Sequence, residues 1–269
     1  MATITPILTA AEFWNPKPGN GLCVFFYDSS YEFYPAGIGS ALGYCNYNGT
    51  LAFNAYTVGA SDSAADINAL RGAYVGVGLD VTGDFSNTSN NKTGKDIKGT
   101  TTTSICSVST TYVNPNSICV RYGELSSYRV HSFTPNLSTF PLEGAPHYFD
   151  NEKYVDSPPI TLHQYVSSRD DVTFHSVKVT LQDNGQTVRV DIKDPVDGKY
   201  YPYHIANLDN NGMGTGADPS TVRAGIAFST SDNVANCEIK NFTAYGKFTN
   251  YQKLTVLPSI SARFTSQYI

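Results

Sequence analysis

The chain has 269 residues, of which 41% are hydrophobic and only 15% charged, and its formal net charge is -5. An average soluble domain has about 25% charged residues. Here Tyr, Phe, Gly, Ser, Thr and Asn fill the difference, a composition that favours pleated, half-buried strands. The negative charge and the lack of long Lys or Arg clusters exclude a dedicated nucleic-acid surface. Since no run approaches the roughly 18 apolar residues of a membrane span, we also expect no membrane insertion.

The first half of the chain contains short strand-like runs separated by Gly, Asn, Asp and Pro, the pattern of a β-sandwich or barrel. Residues 21–27 and 73–81 are continuous apolar runs, which predict strands buried on both faces. Residues 117–122 alternate apolar and polar side chains, which predicts a half-exposed strand. Only residues 62–70 suit a short helical turn, which we expect on a loop. Two segments without strand character, residues 82–103 and 134–159, predict long surface loops.

The second half continues the same pattern. Residues 176–181 and 187–192 alternate apolar and polar side chains, and the turn signal Asn184-Gly185 joins them into a predicted β-hairpin. Residues 221–228 and 237–248 supply further strands. We expect these side chains to point into the core of a two-sheet sandwich: Val24, Phe26, Val75, Val77, Ile226 and Phe228.

The chain shows no internal repeat and no clear linker. It is therefore divided into an N-terminal arm (residues 1–12), one β-sandwich (residues 13–248) and a C-terminal docking segment (residues 249–269). The last segment contains Leu254, Val256, Leu257, Ile260 and Phe264. Because these side chains are too apolar for a freely solvated tail, we expect the segment to dock on its own sandwich or on a neighbouring chain.

Cysteine usage and the N-terminal residues bear on the compartment. The five cysteines have no C-x-x-C spacing, so they indicate neither a disulfide framework nor a zinc site, and we expect buried free thiols: Cys23, Cys45, Cys106, Cys119 and Cys237. The first residues lack a basic region followed by an apolar one, so no conventional secretion signal is expected.

Six short segments follow one another between residues 13 and 248: residues 20–26 (NGLCVFF) with 37–44 (GIGSALGY), 72–80 (GAYVGVGLD) with 83–86 (GDFS), 116–121 (NSICVR) and 222–229 (VRAGIAFS). Together they resemble L-type lectin domains, which are legume-lectin-like and concanavalin A-like. Residues 72–80 with 83–86 look like the strand and loop that carry the central aspartate of this family, and residues 222–229 resemble its final core strand.

The resemblance implies an all-β, two-sheet antiparallel β-sandwich, a concanavalin A-like jelly roll with terminal arms. It also implies a shallow sugar site formed by loops at one rim, in which an Asp, a Gly amide and an Asn contact the ligand. Carried over position by position, the candidate ligand-binding residues are Asn20, Gly37, Gly39, Asp80, Asp84, Ser231 and Asp232.

The resemblance also concerns metal ions, and here the sequence departs from the family. Asn20 stands at the position of the sugar-binding Asp and offers no charge-assisted hydrogen bond. Gly78 stands at the position of the Glu that ligates a transition metal, so we expect no manganese-type site. Calcium stays compatible with the hard oxygens of Asp80 and Asp84, although turn capping by these side chains is the favoured interpretation. No cofactor is predicted.

The sequence offers little for catalysis. Glycoside hydrolases on this type of fold need two facing carboxylates, but the usual Glu-x-Asp strand motif is missing. The tight acidic group Asp150, Glu152 and Asp156 lies in a Pro-flanked loop. The five histidines have no metal-ligand spacing, and no Gly-x-Ser-x-Gly motif accompanies them. We therefore predict that the protein is not an enzyme.

An unsecreted lectin-like sandwich that is short of Lys, rich in Tyr, Asn and Thr, and flanked by terminal arms resembles decoration and fibre proteins of tailed bacteriophages. We therefore predict a structural or adhesive virion protein, located in the virion and held by other virion subunits as a homo-oligomer, with weak binding to cell-surface glycans. The first alternative is a free, extracellular bacterial L-type lectin, and the second is a glycoside hydrolase.

Overall fold

The structure is a computed structural model. It describes residues 3–13, 19–33, 36–37, 39–45, 70–83, 85, 115–123, 130–133, 162–164, 166, 168–208, 222–229, 236–247 and 262–265. The predicted helical turn at residues 62–69, the loop at 134–159, most of the loop at 82–103, and Cys106 lie outside these residues.

The described part of the chain consists of strands joined by turns and short 3-10 segments. In chain order the strands are β1 (Thr3–Phe13), β2 (Gly21–Asp28), β3 (Ala73–Asp80), β4 (Ser117–Tyr122), β5 (Val130–Phe133), β6 (His163–Gln164), β7 (His175–Gln182), β8 (Thr187–Lys193), β9 (Tyr200–Asn207), β10 (Val222–Ser229), β11 (Asn236–Lys247) and β12 (Ala262–Thr265).

These strands form two sheets. In the described residues one sheet has the order β12-β11-β1-β7-β8-β9, with the short β6 added in parallel to β1, and the other has the order β10-β2-β3-β4-β5. All other strand pairs are antiparallel. The two-sheet antiparallel β-sandwich predicted from the sequence is confirmed.

The main core lies between the two sheets and buries side chains from both. Val24, Phe26, Val75 and Val77 are fully buried there, and the partly buried Ile226 and Phe228 pack against them. The predicted inward-facing residues are therefore confirmed. Opposite them, the seven-stranded sheet contributes Val177, Val179, Leu181, Val188, Val190 and Ala206.

A second core covers the other face of the five-stranded sheet. It joins strand side chains such as Phe25 and Cys119 to Leu42, Tyr44 and Phe85, which lie outside the strands. With both faces covered, β2 and β3 are buried along almost their whole length, as their continuous apolar sequences predicted.

Because the second core also covers β4, the expectation of a half-exposed strand there is wrong. Residues 117–122 alternate like a half-exposed strand, but Ser117–Arg121 are all buried. Even the charged Arg121 has no exposed surface. The polar positions of β4 face the second core instead of water, because a distant segment of chain lies over them.

Both ends of the chain contribute strands to the seven-stranded sheet. Thr3–Phe13, most of which falls within the expected N-terminal arm, pairs with β11 on one side and β7 on the other. Of the C-terminal segment, residues 262–265 pair with residues 236–239 of the same chain. Both ends therefore belong to the seven-stranded sheet, and the described sandwich extends beyond residues 13–248.

The predicted hairpin is confirmed. Gln182 pairs with Thr187 across a 3-10 turn at Asp183–Gly185. Four of the five cysteines fall in the described residues, and all four are buried and outside any disulfide, as predicted: Cys23, Cys45, Cys119 and Cys237. Among the described residues, no helix is both long and apolar enough to cross a bilayer.

Candidate functional site

The candidate site lies at one end of the five-stranded sheet, where four strands place residues side by side. Ser229 of β10 pairs with Gly21 of β2, Gly21 pairs with Asp80 of β3, and Asp80 pairs with Ser117 of β4. Directly opposed residues of antiparallel strands share a face of the sheet. We call these four residues the rim row.

Asn20 precedes the rim row and is fixed on three sides. Its N–H donates to the carbonyl oxygen of Ser229 at 3.0 Å, and its own carbonyl oxygen accepts from the N–H of Val81 at 3.0 Å. Its side-chain Nδ2 donates to Oγ1 of Thr82 at 3.2 Å. These contacts hold the Asn20 side chain, which is only 3% exposed, against the loop that follows β3.

Three buried polar atoms at this end of the sheet have no hydrogen-bond partner among the described residues. They are Oδ1 of Asn20 and the Oγ atoms of Ser117 and Ser229. Leaving such an atom without a partner costs about 1–3 kcal/mol, so most buried polar atoms in native proteins are hydrogen-bonded to protein or to water. The rim row and Asn20 thus contain three polar atoms whose hydrogen-bonding capacity the described residues do not use.

Asp80 stands in the middle of the rim row with no exposed surface. Its Oδ1 accepts from the N–H of Gly83 at 2.8 Å and its Oδ2 accepts from the N–H of Phe85 at 2.7 Å. Both contacts are those of a side chain that caps the turn after its own strand. This geometry favours the turn-capping interpretation, and calcium ligation by Asp80 stays a prediction. Asp84 lies outside the described residues.

The residues present also test the fit of a metal ion. A Cβ atom on Gly78 would lie 2.6 Å from Cε1 of Phe85, so the aromatic ring occupies the space that a ligating Glu side chain would need. Among the described residues, no three His, Cys, Asp or Glu side chains are grouped so that they could hold a metal. The described rim supplies one carboxylate, already bonded to two amides, and so does not by itself fit a metal ion.

Arg121 is a residue of this site that sequence reasoning missed. Its Nε donates to the carbonyl oxygen of Phe85 at 2.8 Å, and a second guanidinium nitrogen donates to the same oxygen. The guanidinium carbon lies 4.9 Å from the centroid of the Phe85 ring. The alternation in β4 placed Arg121 on a solvated face, and the only local signal against this was its company of Ile118, Cys119 and Val120 in one strand.

Gly37 and Gly39 lie in the segment that covers the second core. The carbonyl oxygen of Gly37 accepts from Gly43 at 2.8 Å, and that of Gly39 accepts from Leu42 at 3.1 Å. This segment packs on β10, since a Cβ on Gly43 would lie 2.5 Å from Cβ of Ala227. The structure thus brings Asn20 and Asp80 together and places both glycines on the same side of the sheet. Within the described residues, no hydrogen bond joins either glycine to Asn20.

The remaining candidate residues, Ser231 and Asp232, lie outside the described residues, as do Asp150, Glu152 and Asp156. Elsewhere, the fully buried carboxylate of Asp191 is paired with Lys178 at 3.1 Å and Arg189 at 2.7 Å. Asp80 and Asp191 are therefore both committed to structural contacts.

Comparison with known proteins gives one kind of match. No protein-family model and no curated protein sequence matches the chain. Several solved structures similar to this chain are legume lectins. They include the metal-free form of lectin I-B4 from Griffonia simplicifolia (TM-score 0.45, 14% identity, 92% of this chain and 73% of that chain). Another is basic winged bean lectin with Tn-antigen (TM-score 0.47, 11% identity, 93% of this chain and 73% of that chain). A third is the Bauhinia forficata lectin in complex with GalNAc (TM-score 0.46, 13% identity, 93% of this chain and 75% of that chain). At these identities the likeness says nothing about what this chain binds.

Proposed function

We propose that the protein is a non-enzymatic carbohydrate-binding module that takes a glycan at the rim row and Asn20. The observation that carries the proposal is the Oδ1 atom of Asn20, which is buried and without a partner while the rest of the residue is held by three hydrogen bonds. The hydroxyl groups of Ser117 and Ser229 at the same end of the sheet add further donors and acceptors. Sugar hydroxyl groups both donate and accept, which matches this set.

Single-site affinity should be low. Asn20 offers a neutral amide oxygen, and hydrogen bonds to neutral groups are roughly half as strong as those to ionised groups. A shallow neutral site predicts a dissociation constant near the millimolar end, about 4 kcal/mol of binding free energy. Useful adhesion then requires many copies, since avidity can exceed the single-site affinity by about 100-fold or more.

The test is binding to a glycan and polysaccharide panel in a multivalent format, followed by NMR titration with the saccharides that bind. Asn20→Ala should abolish binding, whereas Asn20→Asp should tighten it by restoring a charge-assisted acceptor. Gln186→Ala is a matched control because Gln186 is exposed in the β7–β8 turn. That turn lies at the other end of the sandwich, where Tyr74, near the start of β3, donates to the Gly185 carbonyl oxygen.

Each variant is first shown by thermal melting to be folded. A panel without any ligand, or an Asn20→Ala variant that binds like the wild type, would refute the proposed site. Release of products from any polysaccharide would instead favour the glycoside hydrolase alternative.

Within this class, we propose the more specific role of an adhesive subunit in a tailed-bacteriophage virion. Two features support it: the weak single-site binding expected of Asn20, which many copies would offset, and the apolar residues of the C-terminal segment, which are costly to expose at about 25 cal/mol per Å². The competing role is a free extracellular lectin.

Deletion of residues 250–269 separates these two roles. The virion role predicts that the full chain forms oligomers and that the truncated chain does not assemble, as measured by light scattering. Because the truncation also removes the edge strand β12, circular dichroism must first show that the truncated chain is folded. A full chain that is a strict monomer, or a truncated chain that assembles normally, favours the free lectin.

A further inference from the structure

The loop after β3 contacts both the backbone and the side chain of Asn20. The N–H of Val81 donates to the carbonyl oxygen of Asn20, and Oγ1 of Thr82 accepts from its side-chain amide. Any shift of Val81 or Thr82 therefore moves the candidate sugar-binding side chain.

Phe85 ends the described part of the loop and is held on three sides. Its N–H donates to the carboxylate of Asp80 at 2.7 Å. Its carbonyl oxygen accepts from the guanidinium of Arg121 at 2.8 Å. Its ring sits on the backbone of Gly78, where a Cβ would lie 2.6 Å from ring carbon Cε1, and the guanidinium lies against the same ring.

Asp80 and Arg121 are both without exposed surface. Buried charges persist in proteins when they are compensated by opposite charges and by hydrogen bonds. Here the backbone of Phe85 lies between an anion on its N–H and a cation on its C=O, so each charge stabilises the same residue. A planar guanidinium that donates twice to one oxygen fixes orientation better than a point charge does.

We propose that Arg121 is the positioning residue of the rim: through Phe85 and Asp80 it holds Val81 and Thr82 against Asn20, and it does so without a bound metal ion. In this arrangement Asp80 caps the loop through Gly83 and Phe85, whereas the alternative from the sequence has Asp80 and Asp84 as calcium ligands. The consequence for sugar binding rests on the proposed function, but the state of the loop can be measured without any ligand.

The experiment is amide hydrogen exchange of the full chain, read at Val81, Gly83 and Phe85, in calcium and in EDTA. It compares the wild type with two variants. Arg121→Met keeps a long side chain and removes its charge. Arg121→Lys keeps the charge and loses the planar guanidinium that donates twice to one oxygen. Arg189→Met is the control, since Arg189 also pairs with a buried carboxylate, Asp191, but on the other sheet.

The wild type should exchange equally with calcium and with EDTA. Arg121→Met should accelerate exchange at Val81, Gly83 and Phe85 by roughly tenfold or more, which corresponds to about 1.4 kcal/mol. Arg121→Lys should give an intermediate rate, because an ammonium group restores the charge and one donor. Arg189→Met should leave these amides unchanged, even if it lowers the overall melting temperature.

Faster exchange of the wild-type loop in EDTA would overturn the proposal, as would an Arg121→Met variant that exchanges like Arg189→Met. If Arg121→Met does not fold, the wild-type chelation result and the Arg121→Lys rate decide the matter by the same criteria. Absence of glycan binding with the expected exchange pattern would refute the proposed function and leave the role of Arg121 intact.

Discussion

Replacing Asp80 by Ala removes two hydrogen bonds from a carboxylate that has no exposed surface. Hydrogen bonds to charged groups contribute about 1.5–3 kcal/mol each, so losing both would cost about 3–6 kcal/mol. Removing a buried charge also relieves its desolvation penalty, which shifts the expected loss toward about 3 kcal/mol. Against a typical total stability of about 5–15 kcal/mol, Asp80→Ala should fold but be strongly destabilised.

Urea unfolding followed by circular dichroism measures this loss, in calcium and in EDTA. Asp194→Ala is the matched control, because Asp194 caps the exposed β8–β9 turn by accepting from the N–H of Val196 at 2.6 Å. A solvated cap of this kind should contribute only about 1 kcal/mol. The difference between the two variants isolates the effect of burial on otherwise similar turn-capping carboxylates.

Two outcomes would refute the reasoning. If Asp80→Ala loses no more stability than Asp194→Ala, the two amide contacts do not stabilise the loop as described. If chelation destabilises the wild type and Asp80→Ala removes that response, Asp80 is a calcium ligand and turn capping is not its main role.

Three further predictions concern other parts of the fold. Val77→Asp should prevent soluble folding, because an uncompensated buried carboxylate costs several kcal/mol, whereas Val196→Asp, at a side chain 93% exposed, should express and melt normally. The Tyr201 hydroxyl holds the pKa of Asp197 below its usual value. Any stability from this contact is therefore present above the unfolded-state pKa of Asp197 and is lost as the pH falls through its folded-state pKa. Tyr201→Phe should raise the Asp197 pKa in an NMR titration. Burial raises the pKa of Cys23, so its thiol should react with iodoacetamide only after unfolding; native labelling detected by mass spectrometry would contradict the buried position.

The strands that sequence reasoning predicted best are those whose own composition determines their burial. β2 and β3 are continuous apolar runs, and only burial on both faces accommodates such runs. The β7–β8 hairpin could be predicted equally well from the sequence, because its turn signal and both of its strands lie within one short stretch of chain.

Pairing between distant segments explains what was missed. β1 contains Pro6, which argues against a strand from sequence alone, and its strand partners β11 and β7 lie far along the chain. Arg121 was missed for a related reason: the alternation within β4 says which residues share a face, but not that the second core covers that face.

The candidate site shows the same division. The resemblance located Asn20 and Asp80, and the structure places them beside each other through the pairing of Gly21 with Asp80. No local pattern could indicate that Ser117 and Ser229 complete the rim row, because cross-strand register is a property of the assembled sheet.

The two glycines of β3 explain how the rim is supported from behind. Gly76 and Gly78 point toward the second core, where Cβ atoms would collide with the rings of Tyr44 and Phe85. Without side chains at these positions, both rings pack directly on the backbone of the sheet, and Phe85 comes within hydrogen-bonding reach of Asp80 and Arg121. A larger residue at Gly78 would displace Phe85 and with it the loop that holds Asn20. At Gly78, where the lectin resemblance has a metal-ligating Glu, the ring of Phe85 thus lies on the sheet, and this packing fixes the loop together with the hydrogen bonds of Phe85 to Asp80 and Arg121.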